Sequence, residues 1–213
     1  MAVRGKFITL EGPEGAGKST QAKLLAEALH ARGIDSLLTR EPGGTPLAEE
    51  LRSLLKHFKS DSEAMTPEAE LLLMNAARAQ HVQYKILPAL EAGKWVICDR
   101  FSDSTLAYQG FARGMDLDGI RSVIRMAVGS CVIDRTLLFD LAPETGFSRA
   151  ERRLSTAGNY DRFEQENNSF HRKVRAGFLT LAEEEPERFR VIRADQAIYE
   201  VHADVMEALH DLL

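Results

Sequence analysis

The segment Gly12-Pro13-Glu14-Gly15-Ala16-Gly17-Lys18-Ser19 constrains this 213-residue chain more than any other. It fits the spacing G-x-x-x-x-G-K-[ST], in which glycines let backbone N–H groups close on phosphate oxygens. Lys18 would bring a mobile cation to the β- and γ-phosphates, and the Ser19 hydroxyl would ligate Mg²⁺. A helix starting at Ser19, with Thr20 in its first turn, directs its positive end at the same anion. The context agrees. Phe7-Ile8-Thr9-Leu10 reads as a short buried strand, and Leu24, Leu25, Ala28 and Leu29 recur at helical spacing until Gly33. Strand, glycine loop and helix predict a site for a nucleoside triphosphate.

Downstream, short apolar runs alternate with helical patterns. Strands are expected at Ser36–Thr39, Lys94–Asp99, Thr136–Leu141 and Phe189–Ile192. Helices are expected over Ala48–Phe58, from Thr66-Pro67 to about Ala92 with Pro88 kinking its end, and from Asp103 with an interruption around Gly110–Gly114. Others should begin near Gly119, span Glu164–Glu184, and close the chain over Tyr199–Leu213. Repeating βα units predict an α/β domain: a parallel sheet of about five strands with helices on both faces, a three-layer P-loop NTPase fold. In such sheets ligands sit at the carboxyl ends of the strands.

Composition narrows the partners. A net charge of −5 gives no global basic surface for a nucleic-acid backbone, although 27 Lys and Arg residues leave room for a local basic pocket. Cys98 and Cys131 are the only cysteines and do not form a C-x-x-C pair; Cys98, ending the run Trp95-Val96-Ile97-Cys98, reads as a buried free thiol. No apolar run approaches a membrane span and the N-terminus lacks a signal-peptide core, so no membrane association and a cytoplasmic location are expected.

Two further clusters carry chemistry. Asp99-Arg100 follows a buried strand, where an Asp supports Mg²⁺ beside Ser19 and an Arg fork faces phosphate. Arg149, Arg152 and Arg153 lie within one helical turn, followed by small polar residues Ser155–Asn159. That pattern predicts a cationic lid at about residues 148–162 that excludes water during transfer, or else a solvated helix face. Arg78 has Glu70, Met74 and Asn75 on neighbouring turns, and Ser104, Thr105, Tyr108 and Gln109 offer polar groups that could read a base or a sugar. Alone, Arg78 would be a surface residue, and the polar group could equally be caps.

Taken together, Leu10-Glu11-Gly12, Arg40-Glu41-Pro42-Gly43-Gly44-Thr45, Ala76-Ala77-Arg78-Ala79-Gln80-His81, Asp99-Arg100-Phe101, Ala107-Tyr108-Gln109-Gly110 and Asp161-Arg162-Phe163-Glu164 resemble thymidylate kinases of the bacterial type. They run in that family's order across almost the whole chain. The resemblance implies one nucleoside monophosphate kinase-like domain over residues 1–213, a homodimer, and transfer of the γ-phosphoryl group of ATP-Mg²⁺ to dTMP for dTTP synthesis. It implies that the phosphate loop from Gly12 to Thr20 holds ATP and that Glu14 lies near the acceptor's 3′-hydroxyl. Arg100 would contact acceptor and transferred phosphate, and Arg78 the thymine carbonyl. Thr105, Tyr108 and Gln109, with Ser104, would frame base and deoxyribose, Tyr108 crowding the 2′ position. Pro13, Glu14 and Ala16 occupy the variable loop positions, so a loop arginine found in some members is replaced here by the lid cations Arg149 and Arg153. Where the family often stacks an aromatic ring on thymine, this chain has Met74. Near the last strand it has Arg193-Ala194-Asp195 where Asp-Ala is common.

Rival readings are a P-loop kinase for another nucleotide or nucleoside, and a nucleotide-dependent switch. The switch lacks N-K-x-D, and its D-x-x-G, Asp116-Leu117-Asp118-Gly119, follows no apolar strand.

Overall fold

The computed structural model describes residues 4–60, 62–149 and 166–213. Five parallel strands form one sheet in the order β2-β3-β1-β4-β5: β1 (Phe7–Glu11), β2 (Ser36–Arg40), β3 (Trp95–Asp99), β4 (Arg135–Asp140) and β5 (Phe189–Arg193). The central β1 is buried throughout, whereas edge strands β2 and β5 are only partly covered. This is why β1 shows no alternation of apolar and charged residues from Phe7 to Leu10. Its registers set Leu10 beside both Asp99 and Leu137, and β2 sets Arg40 beside Asp99. The expected α/β architecture is the observed one.

On one face, helices α1 (Lys18–His30) and α9 (Ile198–Glu207) pack Leu25, Leu29, Val201 and Val205 onto Ile8, Leu10 and Phe139. The other face carries α2 (Pro46–His57), α3 (Pro67–His81), α4 (Leu87–Glu91), α5 (Ser102–Thr105), α6 (Leu117–Val128), α7 (residues 143–149) and α8 (Asn168–Glu184). Val174, Phe178 and Leu181 of α8 bury against Leu138 and Tyr108 there.

Several boundaries differ from expectation for identifiable reasons. Pro88 is accommodated by a π-helical turn, Val82–Ile86, between α3 and α4; the wider turn suits a residue that has no N–H to give and crowds the carbonyl four residues back. The expected interruption falls at residues 113–116, and Gly110 itself does not break the helix. It lies inside a second π-helical stretch, Leu106–Ala112, and its lack of a side chain lets Leu117 pack on the backbone, an added Cβ falling 2.4 Å from Leu117 Cδ2. The D-x-x-G is a helix cap: Asp116 Oδ2 accepts the Gly119 N–H at 2.7 Å, so α6 starts at Leu117, before Gly119. Asn167 caps α8 by accepting from Phe170 N, so that helix starts at Asn168; the expected start at Glu164 lies outside the described residues. The last helix ends at Glu207, and turns continue towards Leu213.

Candidate active site

All five strands end on one edge, and a cavity of about 430 Å³ opens there. The phosphate loop forms one wall. Gly12 has φ 135° and its Cβ position lies 2.4 Å from Phe139 O; Gly15 has φ 74° and its Cβ position lies 2.3 Å from Gly146 O. Both positions demand glycine for conformation and for space. The second contact is reciprocal, since a Cβ on Gly146 would stand 2.4 Å from Glu14 O. Backbone of α7 therefore rests directly on the loop. Helix α1 begins at Lys18, one residue before the expected Ser19.

Lys18 is 6% exposed and donates from Nζ to Pro13 O at 2.7 Å and Gly12 O at 3.0 Å. Burial, aided by the nearby Arg100 cation, pulls its pKa down to about 8. Ser19 Oγ donates to Asp99 Oδ2 at 2.5 Å. Two adjacent hard oxygens on loop and strand end suit Mg²⁺, which binds few protein ligands and completes its shell with phosphate and water.

Arg100 has φ 67°, a left-handed conformation uncommon outside glycine. Its backbone N–H is held by Leu10 O. Its guanidinium donates to Gly12 O, Ser104 Oγ and Glu14 Oε2 at 3.1, 3.2 and 3.3 Å and lies 5.2 Å from the centre of the Tyr108 ring. Glu11, fully buried at the end of β1, fastens this segment. Its carboxylate accepts from Phe101 N at 2.8 Å, Ser104 N at 3.2 Å and Ser104 Oγ at 2.5 Å. Burial, reinforced by Asp103, pushes Glu11 up to about 7, against the lowering effect of these hydrogen bonds and Arg100.

Opposite the loop, α3 supplies Met74 and Arg78. Arg78 is not a surface residue: it is 3% exposed. Its Nε donates to Glu41 Oε2 at 2.8 Å and Nη1 to Asn75 Oδ1 at 2.8 Å; Nη2 reaches Phe101 O at 3.1 Å and Thr105 Oγ1 at 3.0 Å. Four of its five N–H groups are thereby taken among the described residues, leaving one on Nη1. Glu41 also accepts from or pairs with His81 Nδ1 at 2.9 Å, and His81 Nε2 meets Thr39 Oγ1 at 2.8 Å.

Glu14, Gly15, Gly17, Lys18, Ser19, Thr20, Met74, Arg78, Asp99, Arg100, Ser104, Thr105, Tyr108, Gln109 and Arg149 all line this one cavity. Gly12, Pro13 and Ala16 shape the loop from behind and do not line it. Arg149 Nη1 donates to Ala194 O at 2.8 Å and reaches Gly15 O at 3.5 Å. Ala194 is buried, while Arg193 and Asp195 turn outward and pair at 3.4 Å. Arg152, Arg153 and Asp161–Glu164 lie outside the described residues, and so does most of the expected lid. Cys98 is a buried thiol, donating to Arg100 O, with its pKa raised by burial.

Sequence reasoning missed Arg40, Arg52, Lys56 and His171 in the cavity wall. Arg52 and Lys56 share one face of α2 at i, i+4, a spacing visible in the sequence, but nothing local tells such a pair from a solvated face. With Lys18, Arg40, Arg78, Arg100 and Arg149 they place seven cations around the cavity, against the carboxylates of Glu14, Glu41 and Asp99. A protein with net charge −5 thus concentrates positive charge in one place.

A parallel sheet whose central strand feeds a glycine loop and a helix, with Lys and Ser at the helix start and Asp at the neighbouring strand end, defines a P-loop nucleoside-triphosphate-binding protein. The family model described as Thymidylate kinase matches residues 10–205. Similar proteins include the thymidylate kinase of Ectopseudomonas mendocina, 49% identical over 209 residues, with 98% of this chain and 97% of that protein covered. That of Syntrophotalea carbinolica is 49% identical over 197 residues, with 92% and 90% covered. The crystal structure of thymidylate kinase from Ehrlichia chaffeensis matches with a TM-score of 0.75 at 35% identity, covering 97% of this chain and 99% of that one. The chain belongs to the thymidylate kinase family.

Proposed function

We infer that this protein phosphorylates dTMP to dTDP with ATP. The observation that carries the reading is the cation-lined cavity joining the phosphate loop to the buried Arg78 wall, in a chain of this family. Two nucleotides fit that plan, the triphosphate on the loop and the monophosphate between Arg100 and Arg78.

Transfer is direct. An oxygen of the acceptor 5′-phosphate attacks the γ-phosphorus as the bond to the β–γ bridging oxygen breaks, and ADP leaves. Such chemistry needs position and charge neutralisation more than covalent help. Lys18 exchanges its carbonyl partners for phosphate oxygens, and Arg100, fixed by Gly12 O and Ser104, faces the transferred group. Arg149 and Arg153 add charge from the lid, Arg149 from its seat on Ala194 O. Ser19 and Asp99 would hold Mg²⁺, which would supply charge neutralisation to the phosphates. Glu14 lies near the 3′-hydroxyl. The remaining N–H of Arg78 suits one thymine carbonyl, Met74 packs on the base, and Ser104, Thr105, Tyr108 and Gln109 frame base and deoxyribose.

We propose further that two copies pair through the layer of α2, α3 and α6, where Leu47, Leu54, Leu72 and Met126 are exposed. A cytoplasmic location fits the family; no described helix is long and apolar enough to cross a membrane. A coupled ADP-release assay across thymidine, uridine, cytidine and guanosine monophosphates, ribo and deoxy, tests the reading. The highest kcat/KM should fall to dTMP. A different preferred acceptor, or release of ADP that no acceptor accelerates, would overturn it.

A further inference from the structure

A cluster outside the phosphate chemistry fixes a cavity residue whose polarity is ambiguous. Gln109 is wholly buried, lines the cavity, and carries an amide that could present either its oxygen or its nitrogen to a ligand. Its Nε2 donates to Glu70 Oε1 at 2.6 Å, while its Oε1, also buried, has no hydrogen-bond partner among the described residues. Glu70, 1% exposed on α3, receives two more donors from a single guanidinium: Arg113 Nε at 2.9 Å on Oε1 and Arg113 Nη2 at 3.2 Å on Oε2. Arg113 is itself braced, by Glu166 at 3.0 Å and by the face of Phe170 at 5.2 Å.

A carboxylate paired to a guanidinium only accepts hydrogen bonds. Facing Glu70, Gln109 must therefore offer its NH₂ group to the carboxylate and keep its oxygen for the ligand. We propose that Glu70, braced by Arg113, is a positioning residue that sets the amide of Gln109, so that the acceptor pocket selects a base carrying a ring N–H. Thymine and uracil have that donor at N3; cytosine has an acceptor there, and its lone pair would oppose the Gln109 oxygen. Selection against cytosine is then enforced from outside the pocket, by a residue with no part in binding the base. The proposal rests on the dTMP reading above.

The test is the ratio of kcat/KM for dCMP and dTMP in the full chain. In Glu70→Met the bulk remains and the acceptors go, and the Arg113 N–H groups then draw the Gln109 oxygen round to themselves. The expected result is a rise of about tenfold in KM for dTMP, the size of leaving one buried polar group mismatched, with kcat little changed and the dCMP-to-dTMP ratio raised. Glu70→Gln keeps an oxygen able to accept from both neighbours and should stay near wild type in ratio. If Glu70→Met folds poorly by thermal melt, Glu70→Met/Arg113→Met removes the unpaired charge and carries the same expectation of a raised ratio. An unchanged ratio in a folded variant overturns the proposal, as does equal loss on both nucleotides, which marks a merely structural role. Unfolding of both variants does so too. Failure of the wild-type chain to use dTMP at all would instead strike the functional reading, and the proposal with it.

Discussion

The two walls of the cavity are built by opposite means. The phosphate loop is backbone: Gly12 and Gly15 sit where no side chain fits, and Lys18 and Ser19 follow within the same short segment. The acceptor wall is side chains drawn from far apart. Glu11 holds Phe101 and Ser104, Glu41 holds Arg78 and His81, and Glu70 holds Gln109 and Arg113. Three buried carboxylates thus seat the groups proposed to face the acceptor. A backbone site is tuned by conformation, whereas a site hung on buried ions is tuned by protonation and pairing.

The contrast can be broken by substitution, the largest effect coming first. Lys18→Ala should lower kcat by about a thousandfold, in the range of losing one preorganised group around developing charge, with the melting temperature nearly kept. Turnover near wild type in the purified variant would show that the loop is not the catalytic wall. On the acceptor side, Arg78→Met should cost stability as well as dTMP affinity, by about 3 kcal/mol in urea unfolding, because Glu41 is left buried with one partner fewer. The double variant Glu41→Leu/Arg78→Met should recover part of that stability and none of the affinity. Equal stability of Arg78→Met and wild type would mean that the wall is not held by its ion pairs.

Protonation separates the walls more finely. Glu11 is raised to about 7 from an ordinary 4.5, so its contribution to stability is fully present below about pH 4.5 and is lost as pH rises through about 7. Glu11→Gln, which cannot ionise, should therefore gain in melting temperature relative to wild type between pH 5 and pH 8. A constant difference between the two proteins across that range would place the titration elsewhere. The smallest effect belongs to Lys18. With its pKa lowered to about 8, it is partly neutral at that pH, and triphosphate binding should restore its proton. Titration calorimetry at pH 8 in buffers of different ionisation enthalpy should show uptake of about half a proton on ATP binding, and none in Lys18→Ala.

The same contrast explains what was legible in the sequence. The phosphate loop, the strand before it, Asp99-Arg100 and the parallel sheet all follow from local spacing, because backbone sites write their requirements into consecutive residues. Boundaries drifted where tertiary packing or a cap intervened. Gly110 reads as a breaker but makes room for Leu117, and Asp116-x-x-Gly119 mimics a nucleotide motif while capping a helix. The acceptor wall was legible only through resemblance. Nothing in the helical pattern around Arg78 announces that Glu41, far off in sequence, buries it, and Glu70 reads as one more surface acid. Arg149 was found, but its seat on Ala194 depends on a contact between distant strand ends.

The meeting of Gly15 with Gly146 has a mechanical consequence. Two main chains touch there with no side chain between them, so the joint between the phosphate loop and α7 has no adjustable part. Substitution can break it but cannot lengthen or soften it by degrees. Any rocking of α7, and of the Arg149 it carries, must then use this point as a fulcrum, and its leverage on the phosphates proposed to bind there is set by chain geometry alone.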